Sequence, residues 1–447
     1  MGIFVIVDIG TSYIKCGCTT AENNILVEDQ RKFPMQQSQD TFELNFELFF
    51  HTAKELIHTC LAEISIQDLT IEALLITSQA NTFVPVDDDF KPLCNGIVWL
   101  DERAREEADY LTEQLPGYSK YSGFNKMLPG LCASKLLWLK RNKPRIFKNA
   151  QYFPLINEYL AYKLTGKFYS DSTSFGMSGL YDFHQNAINR NLLQILDLTA
   201  DNFSTIESAA KKGVLISKEI MQEWNMSSGF PVFLCGNDQS ASASGAGLEE
   251  VGDITINFGS AMVLFSITKN LVTNLRTDQM SGKYPIGGSY FLLGYESDFG
   301  IKIRILKEKL FKKGSYNQLF QTYLDYPEIG AGNPCFSDAD LNFNSTNDAC
   351  RFCASIIKHY LYQLKKHIEN IEQQVNIKNI FLSGGMTKST VWLQIIKKEL
   401  EQTVTIKNQS NAGLIGALNI YLSNRAVNPH RLADRLNKIR NRPKSKY

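Results

Sequence analysis

Four residues near the start of the chain could together hold a phosphate: Asp8, Thr11, Ser12 and Lys15, all within IVDIGTSYIKCG, residues 6 to 17. Two hydroxyls and outward-pointing turn amides can donate to phosphoryl oxygens, and a neighbouring ammonium balances their charge. The arrangement is not a P-loop, which needs GxxxxGK[ST] leading into a helix, nor a dinucleotide GxGxxG, and neither pattern occurs in the chain. A related stretch comes later. ITINFGSAMVLFSI, residues 254 to 267, places Gly259 and Ser260 between two apolar runs, as Gly10 and Thr11 stand between theirs. A third glycine turn, Ser383-Gly384-Gly385 in NIFLSGGMTKSTVWLQIIKKELEQ, follows an apolar run and precedes a helical pattern. Glycines there allow either tight helix–sheet packing or close approach of a flat ligand such as a base or ribose.

These residues need elements to hold them. Ile3 to Val7 is a continuous β-branched-rich run, the pattern of a strand covered on both faces. Gly10 permits a tight reversal, and YIKCGCTT alternates as a returning strand. Phe46 to Ile64 reads as a helix, IEALLITS as a strand, and FVPVDDDFKPLCNGIVWLDERA as a hairpin with an acidic turn leading into a helix from Asp101 to about Leu115. NEYLAYKLTG is a short helix stopped by Gly166, and PVFLCGND, residues 231 to 238, is a strand ending in a glycine and an acid. SNAGLIGALNIYL is a small-residue helix in which Gly413, Gly416 and Ala417 permit close packing. Alternating strands and helices predict an α/β fold, and the repeated hairpin predicts two similar halves with a cleft between them.

Composition narrows the function. The chain has 447 residues and a formal charge of +1, so two domains are expected and neither nucleic acid nor a membrane surface is the expected partner. No apolar run has the length of a membrane span and no leader pattern precedes the first strand, so a cytoplasmic location is expected. Nine cysteines, an odd number, predict free thiols. Cys350 and Cys353 form a CxxC, but Phe352, Ile356, Tyr360, Leu364 and Ile368 mark that segment as one amphipathic helix without a second ligand pair. The tail from Arg425 carries eight Lys and Arg residues against the single acid Asp434, with Leu432, Leu436 and Ile439 at helical spacing. It reads as a terminal helix docked on one apolar face, with its charges outward.

Taken in order, DIGTSYIK, SQANTFVPVDDDFKPLCNGIVWLDERA, CGNDQSASASGAG, NFGSAMVL and SGGMTKSTVWLQ with GLIGAL resemble the FGGY carbohydrate kinase family. The resemblance spans residues 8 to about 418 and implies duplicated actin-like (ribonuclease-H-like) ATPase domains with an interdomain active-site cleft. It divides the chain into 1–246, 247–424 and the basic tail 425–447. It implies transfer of phosphate from ATP to a hydroxyl of a small carbohydrate, with Mg2+, and allows a homodimer. By position Asp238 resembles the catalytic base and Asp8 the residue that organises magnesium. Thr11, Ser12 and Lys15 match the first phosphate-binding turn, Gly259 and Ser260 the second, and Gly384, Gly385 and Met386 the adenosine-site turn. Substrate contacts fall at Gln79 to Asn81, where Ala80 is too short to contribute, leaving Gln79 and Asn81.

Some features depart from the family pattern. Lys15 stands where many members carry arginine, so it meets phosphate as a point charge. SQANT lacks the Arg-Glu pair of glycerol kinases, which favours a ketose such as a pentulose over glycerol, and it also lacks the Met-His of typical xylulokinases. IGAGNPCFSDADLNFNSTND is short for the family's lid and lacks its Gly-Glu-Arg motif. The competing expectation is a degenerate member that binds nucleotide or sugar as a sensor or scaffold.

Overall fold

The computed structural model describes residues 2–38, 41–65, 70–312, 314–401, 403–407 and 411–425. The basic tail expected to dock after Arg425 lies outside the described residues. Contacts group the chain into two compact units, one holding residues up to Gly245, Gly282–Tyr290 and the chain from Asn411, the other Ala246–Ser281 and Phe291–Ser410.

In the first unit the opening strand Gly2–Ile9 lies at the centre of a six-stranded sheet. It pairs antiparallel with Tyr13–Thr20, which pairs antiparallel with Ile25–Lys32. On its other side it runs parallel to Thr70–Ser78, which runs parallel to Pro231–Asn237. Ile3, Val5, Val7 and Ile9 pack on one face with Phe49, Ala53, Leu56 and Ile57 of the helix Phe46–Ser65. Phe4 and Ile6 pack on the other with Ala417 and Leu418 of the helix Ala412–Arg425. Both faces are covered, which is why this strand has no polar alternation.

The second unit repeats the plan. Asp253–Phe258 pairs antiparallel with Met262–Thr268 and parallel with Asn379–Ser383, which runs parallel to Val404–Ile406. Beyond Met262–Thr268 the sheet continues through Tyr290–Glu296 to Gln279–Lys283. Each sheet therefore has an antiparallel hairpin whose first strand is flanked by parallel strands on its other side. The duplication read from two glycine hairpins extends to the hairpin, the strand beyond it and the two parallel strands on its other side, while the outermost strands of the two sheets differ.

One reading needs correction. The helix expected from Asp101 runs only over Arg105–Gln114. The Asp101 carboxylate is fully buried and instead accepts hydrogen bonds from the backbone of Phe42 and Arg103 and from the Arg103 guanidinium, 2.7–3.0 Å away. The helix Ala412–Arg425 packs in the first unit. The cause is steric: a Cβ on Gly416 would lie 1.7 Å from the Ala241 carbonyl oxygen, and one on Gly245 would lie 1.9 Å from that of Ala412. The small residues of this helix let it lie backbone to backbone on the helix Asp238–Gly245.

The cysteine reading agrees with the described chain, in which all nine are free. Cys353 is buried in the helix Thr346–Glu372 with Ile356, Tyr360, Leu364 and Ile368.

Candidate active site

Three parallel strands of the first unit end together. Asp8 is in register with Thr77, Ile9 with Ser78, and Asn237 with Ser78. The residues that follow, Gln79 and Asp238, thus emerge beside Asp8 at the carboxyl edge of the sheet, where α/β sheets bind ligands. Gln79 is tied there by its N–H, which donates to the Ile9 carbonyl at 2.8 Å.

Asp238 opens the helix Asp238–Gly245, and Asn237 caps it by accepting from the Ser240 N–H at 2.9 Å. Asp238 also serves the helix start, its Oδ1 accepting from the Gln239 N–H at 2.8 Å. Its pKa is pushed up to about 7, mainly by burial and then by the negative charge of Asp8. Asp8 is itself pushed up to about 6 by burial, with Lys15, its cross-strand partner, pulling the other way. Its Oδ1 is buried without a hydrogen-bond partner. A Cβ on Gly413 would lie 2.2 Å from the Asp8 Oδ2, so only glycine lets the helix Ala412–Arg425 start this close to the acid.

Gln79 and Asn81 were assigned alike from sequence and differ in the structure. Gln79 is 2% exposed, and neither its Oε1 nor its Nε2 has a partner. Asn81 has φ +58°, a left-handed conformation that asparagine tolerates better than most residues. Its Nδ2 donates to the Met177 carbonyl at 2.8 Å and its Oδ1 accepts from the Cys132 N–H at 3.0 Å. The amide of Asn81 is therefore engaged by the chain itself, and that of Gln79 has no partner among the described residues.

The turn between the first two strands has Thr11 half-buried and Ser12 exposed, with Lys15 half-buried one turn-length into the returning strand. Gly10 has no left-handed φ; a Cβ there would come 3.3 Å from the Tyr13 carbonyl, tight rather than forbidden. Trp99, a residue the sequence reading passed over, donates its indole N–H to Thr11 Oγ1 at 3.1 Å. Its signal was only that an aromatic stood inside a motif-bearing stretch. Lys135 was also missed. It is fully buried, and its Nζ donates to the carbonyls of Val98 at 2.7 Å and Asn81 at 3.3 Å. Burial draws its pKa down to about 8.

In the second unit, Gly259 and Ser260 form the corresponding hairpin turn. The Gly300 N–H donates to the Ser260 carbonyl at 2.9 Å, and a Cβ on Gly300 would lie 1.9 Å from the Gly259 oxygen. The helix Phe299–Leu310 thus starts directly against this turn. Asn257 occupies the position that Asp8 has in the first hairpin, so the repeat carries an amide where the original has an acid. Gly384 has φ +94°, and a Cβ there would meet Asn257 Oδ1 and the Phe258 carbonyl at 2.5 Å. Gly385 has nothing within 4 Å of a Cβ position. The first glycine is required by packing, whereas the second leaves open space beside the half-buried Met386.

Among the described residues a further group with ligand-type atoms is Asp278, Glu296 and His367 in the second unit. Its atoms are already engaged: Arg276 pairs with both Asp278 oxygens, and His367 Nε2 lies within hydrogen-bond distance of Glu296 Oε1, at 3.2 Å.

Comparison with known proteins decides the family. The model of the FGGY family of carbohydrate kinases matches through its N-terminal domain over residues 3–245 and through its C-terminal domain over residues 331–422. The chain belongs to the FGGY family of carbohydrate kinases. It is 21% identical to the xylulose kinase of Bacillus subtilis, over 91% of this chain and 85% of that protein. It is 24% identical to the glycerol kinase of Thermococcus gammatolerans, over 94% of this chain and 88% of that protein. Among solved structures, the ligand-bound xylulose kinase of Lactobacillus acidophilus superposes with a TM-score of 0.84 at 19% identity, covering 98% of this chain and 91% of that one. The FGGY kinase fold, with its two actin-like halves, accounts for the repeated strand order described above. No helix among the described residues is long and apolar enough to cross a membrane.

Proposed function

We propose that this carbohydrate kinase transfers the γ-phosphoryl group of ATP to a hydroxyl of a ketose, with pentuloses as the first candidates. The observation that carries the reading is the edge of the first sheet, where two acids with raised pKa stand beside a buried glutamine whose amide has no partner. A sugar hydroxyl is a weak nucleophile and needs a base. Asp238, poised near neutrality, takes its proton as the bond to phosphorus forms. Gln79 offers one donor and one acceptor to neighbouring hydroxyls of the sugar, which fixes the one that reacts. The relatives named xylulose kinases and the absence of an Arg-Glu pair in SQANT support a ketose.

Thr11, Ser12 and Lys15 are assigned to the donor phosphates, as are Gly259 and Ser260, while Gly384, Gly385 and Met386 are assigned to the adenosine. Open space at Gly385 supports the last assignment. The Asp8 carboxylate fits Mg2+, because a buried oxygen without a partner is what a hard cation or its bound water would use. Magnesium, when bound, would offset the charge of the phosphoryl oxygens. The experiment is a coupled ADP-release assay over ketoses, polyols and aldonates. Turnover on a pentulose with none on glycerol is the expected result; no turnover on any member, with ATP demonstrably bound, would overturn it.

A further inference from the structure

Trp99 is 40% exposed, a large apolar surface to leave in water, yet it is firmly held. Its backbone N–H donates to Thr82 Oγ1 at 3.1 Å, and the preceding carbonyl, that of Val98, accepts from the buried Lys135 at 2.7 Å. Gly130 lies so close that a Cβ would be 2.9 Å from the Trp99 carbonyl oxygen. This support aims the indole at the turn after the first strand, where Nε1 meets Thr11 Oγ1 at 3.1 Å.

A threonine hydroxyl has one proton and two lone pairs, and an indole nitrogen can only donate. The bond therefore fixes the roles: Trp99 gives the hydrogen, and Thr11 keeps its own. Among the described residues no acceptor lies within hydrogen-bond range of that proton. We propose that Trp99 is a positioning residue for the phosphoryl donor: its indole N–H fixes the Thr11 hydroxyl so that the single threonine proton faces a phosphoryl oxygen at the turn. The inference rests on the assignment of Thr11 to a donor phosphate. Trp99 sits between Thr82, which follows the Gln79–Asn81 segment, and Thr11, so it ties the segment assigned to the acceptor to the turn assigned to the donor.

The test is a double-mutant cycle of Trp99→Phe and Thr11→Val, with kcat and KM measured for ATP and for the sugar. Phenylalanine keeps a six-membered aromatic ring and removes the pyrrole part of the indole with its N–H, and the site is at the surface, so folding is retained; thermal melts verify this. Trp99→Phe is expected to lower kcat/KM for ATP about 3- to 10-fold, in line with one lost hydrogen bond, with the KM for sugar unchanged. In the Thr11→Val background it is expected to have no further effect, because no hydroxyl remains to orient. Thr11→Ser keeps an acceptor and is expected to restore sensitivity to Trp99→Phe. Full additivity, or a change confined to the sugar KM, overturns the role of Trp99 while leaving Thr11 as a phosphate contact. Unchanged ATP kinetics in Thr11→Val overturns the phosphate assignment and this inference with it.

Discussion

Replacing Asp238 by asparagine separates its chemical role from its cost to the fold. The folded carboxylate has its pKa raised from the ordinary 3.8 to about 7, so the folded state binds more protons than the unfolded chain between those values. Stability therefore falls as pH rises through that window and stays low above it. The difference amounts to about 4 kcal/mol if taken whole. Asp238 is half-buried and shares the effect with Asp8, so about 2 kcal/mol is a fair discount. Asparagine removes the charge and nearly keeps the shape. At pH 8 the variant should melt roughly 4–8 °C above the parent, taking about 2–4 °C per kcal/mol for a domain of this size. At pH 5 the gain should shrink to less than half, because the parent is then protonated in the folded state. Turnover should drop by about 10²- to 10⁴-fold, since asparagine cannot accept the proton. Differential scanning fluorimetry at both pH values, paired with ADP release, reads both effects. A stability change of equal size at pH 5 and pH 8 would refute the burial argument, and near-normal turnover would remove Asp238 from the role of base.

The same acids predict the pH profile: kcat/KM should fall with slope one as pH drops below about 7, steepening below about 6 as Asp8 also protonates, and a flat profile down to pH 5 would contradict the raised values. Gln79→Leu should raise the sugar KM at least tenfold with little loss of stability, whereas Asn81→Leu should lower the melting temperature by disconnecting Met177 and Cys132; equal behaviour of the two variants would show that the distinction is wrong. Gly384→Ala should destabilise by about 1–3 kcal/mol through its left-handed φ and the contacts at 2.5 Å, while Gly385→Ala should leave the melt unchanged and weaken ATP binding, which isothermal titration would measure. Gly413→Ala should reduce kcat by pushing the Asp8 carboxylate aside; unchanged kinetics in a folded variant would mean that the helix shifts instead.

Much of the fold was legible because its signals are local. A β-branched run covered on both faces, a glycine turn and a repeated hairpin are written in consecutive residues, and Asp8, Asp238, Gly259 and Gly384 stand at the ends of such runs. The helix stop at Gly166 was legible too: its φ is +70° and its N–H donates to the Tyr162 carbonyl. What tertiary structure alone decided concerns residues distant in sequence. Gln79 and Asn81 have the same chemistry and nearly the same address, but only the fold brings Met177 and Cys132 to the Asn81 amide and leaves that of Gln79 free. Gly413 was seen as a packing residue, yet its neighbour is Asp8, some four hundred positions away, and no periodicity encodes that approach. Asp101 was read as the start of a helix, a position that suits a carboxylate. The bonds from Phe42 and Arg103 outweighed that preference, since a fully buried carboxylate must be satisfied wherever the fold puts it. The sequence determined which elements form and which acids stand at their ends; tertiary packing determined which of those side chains the protein uses on itself and which it leaves without a partner.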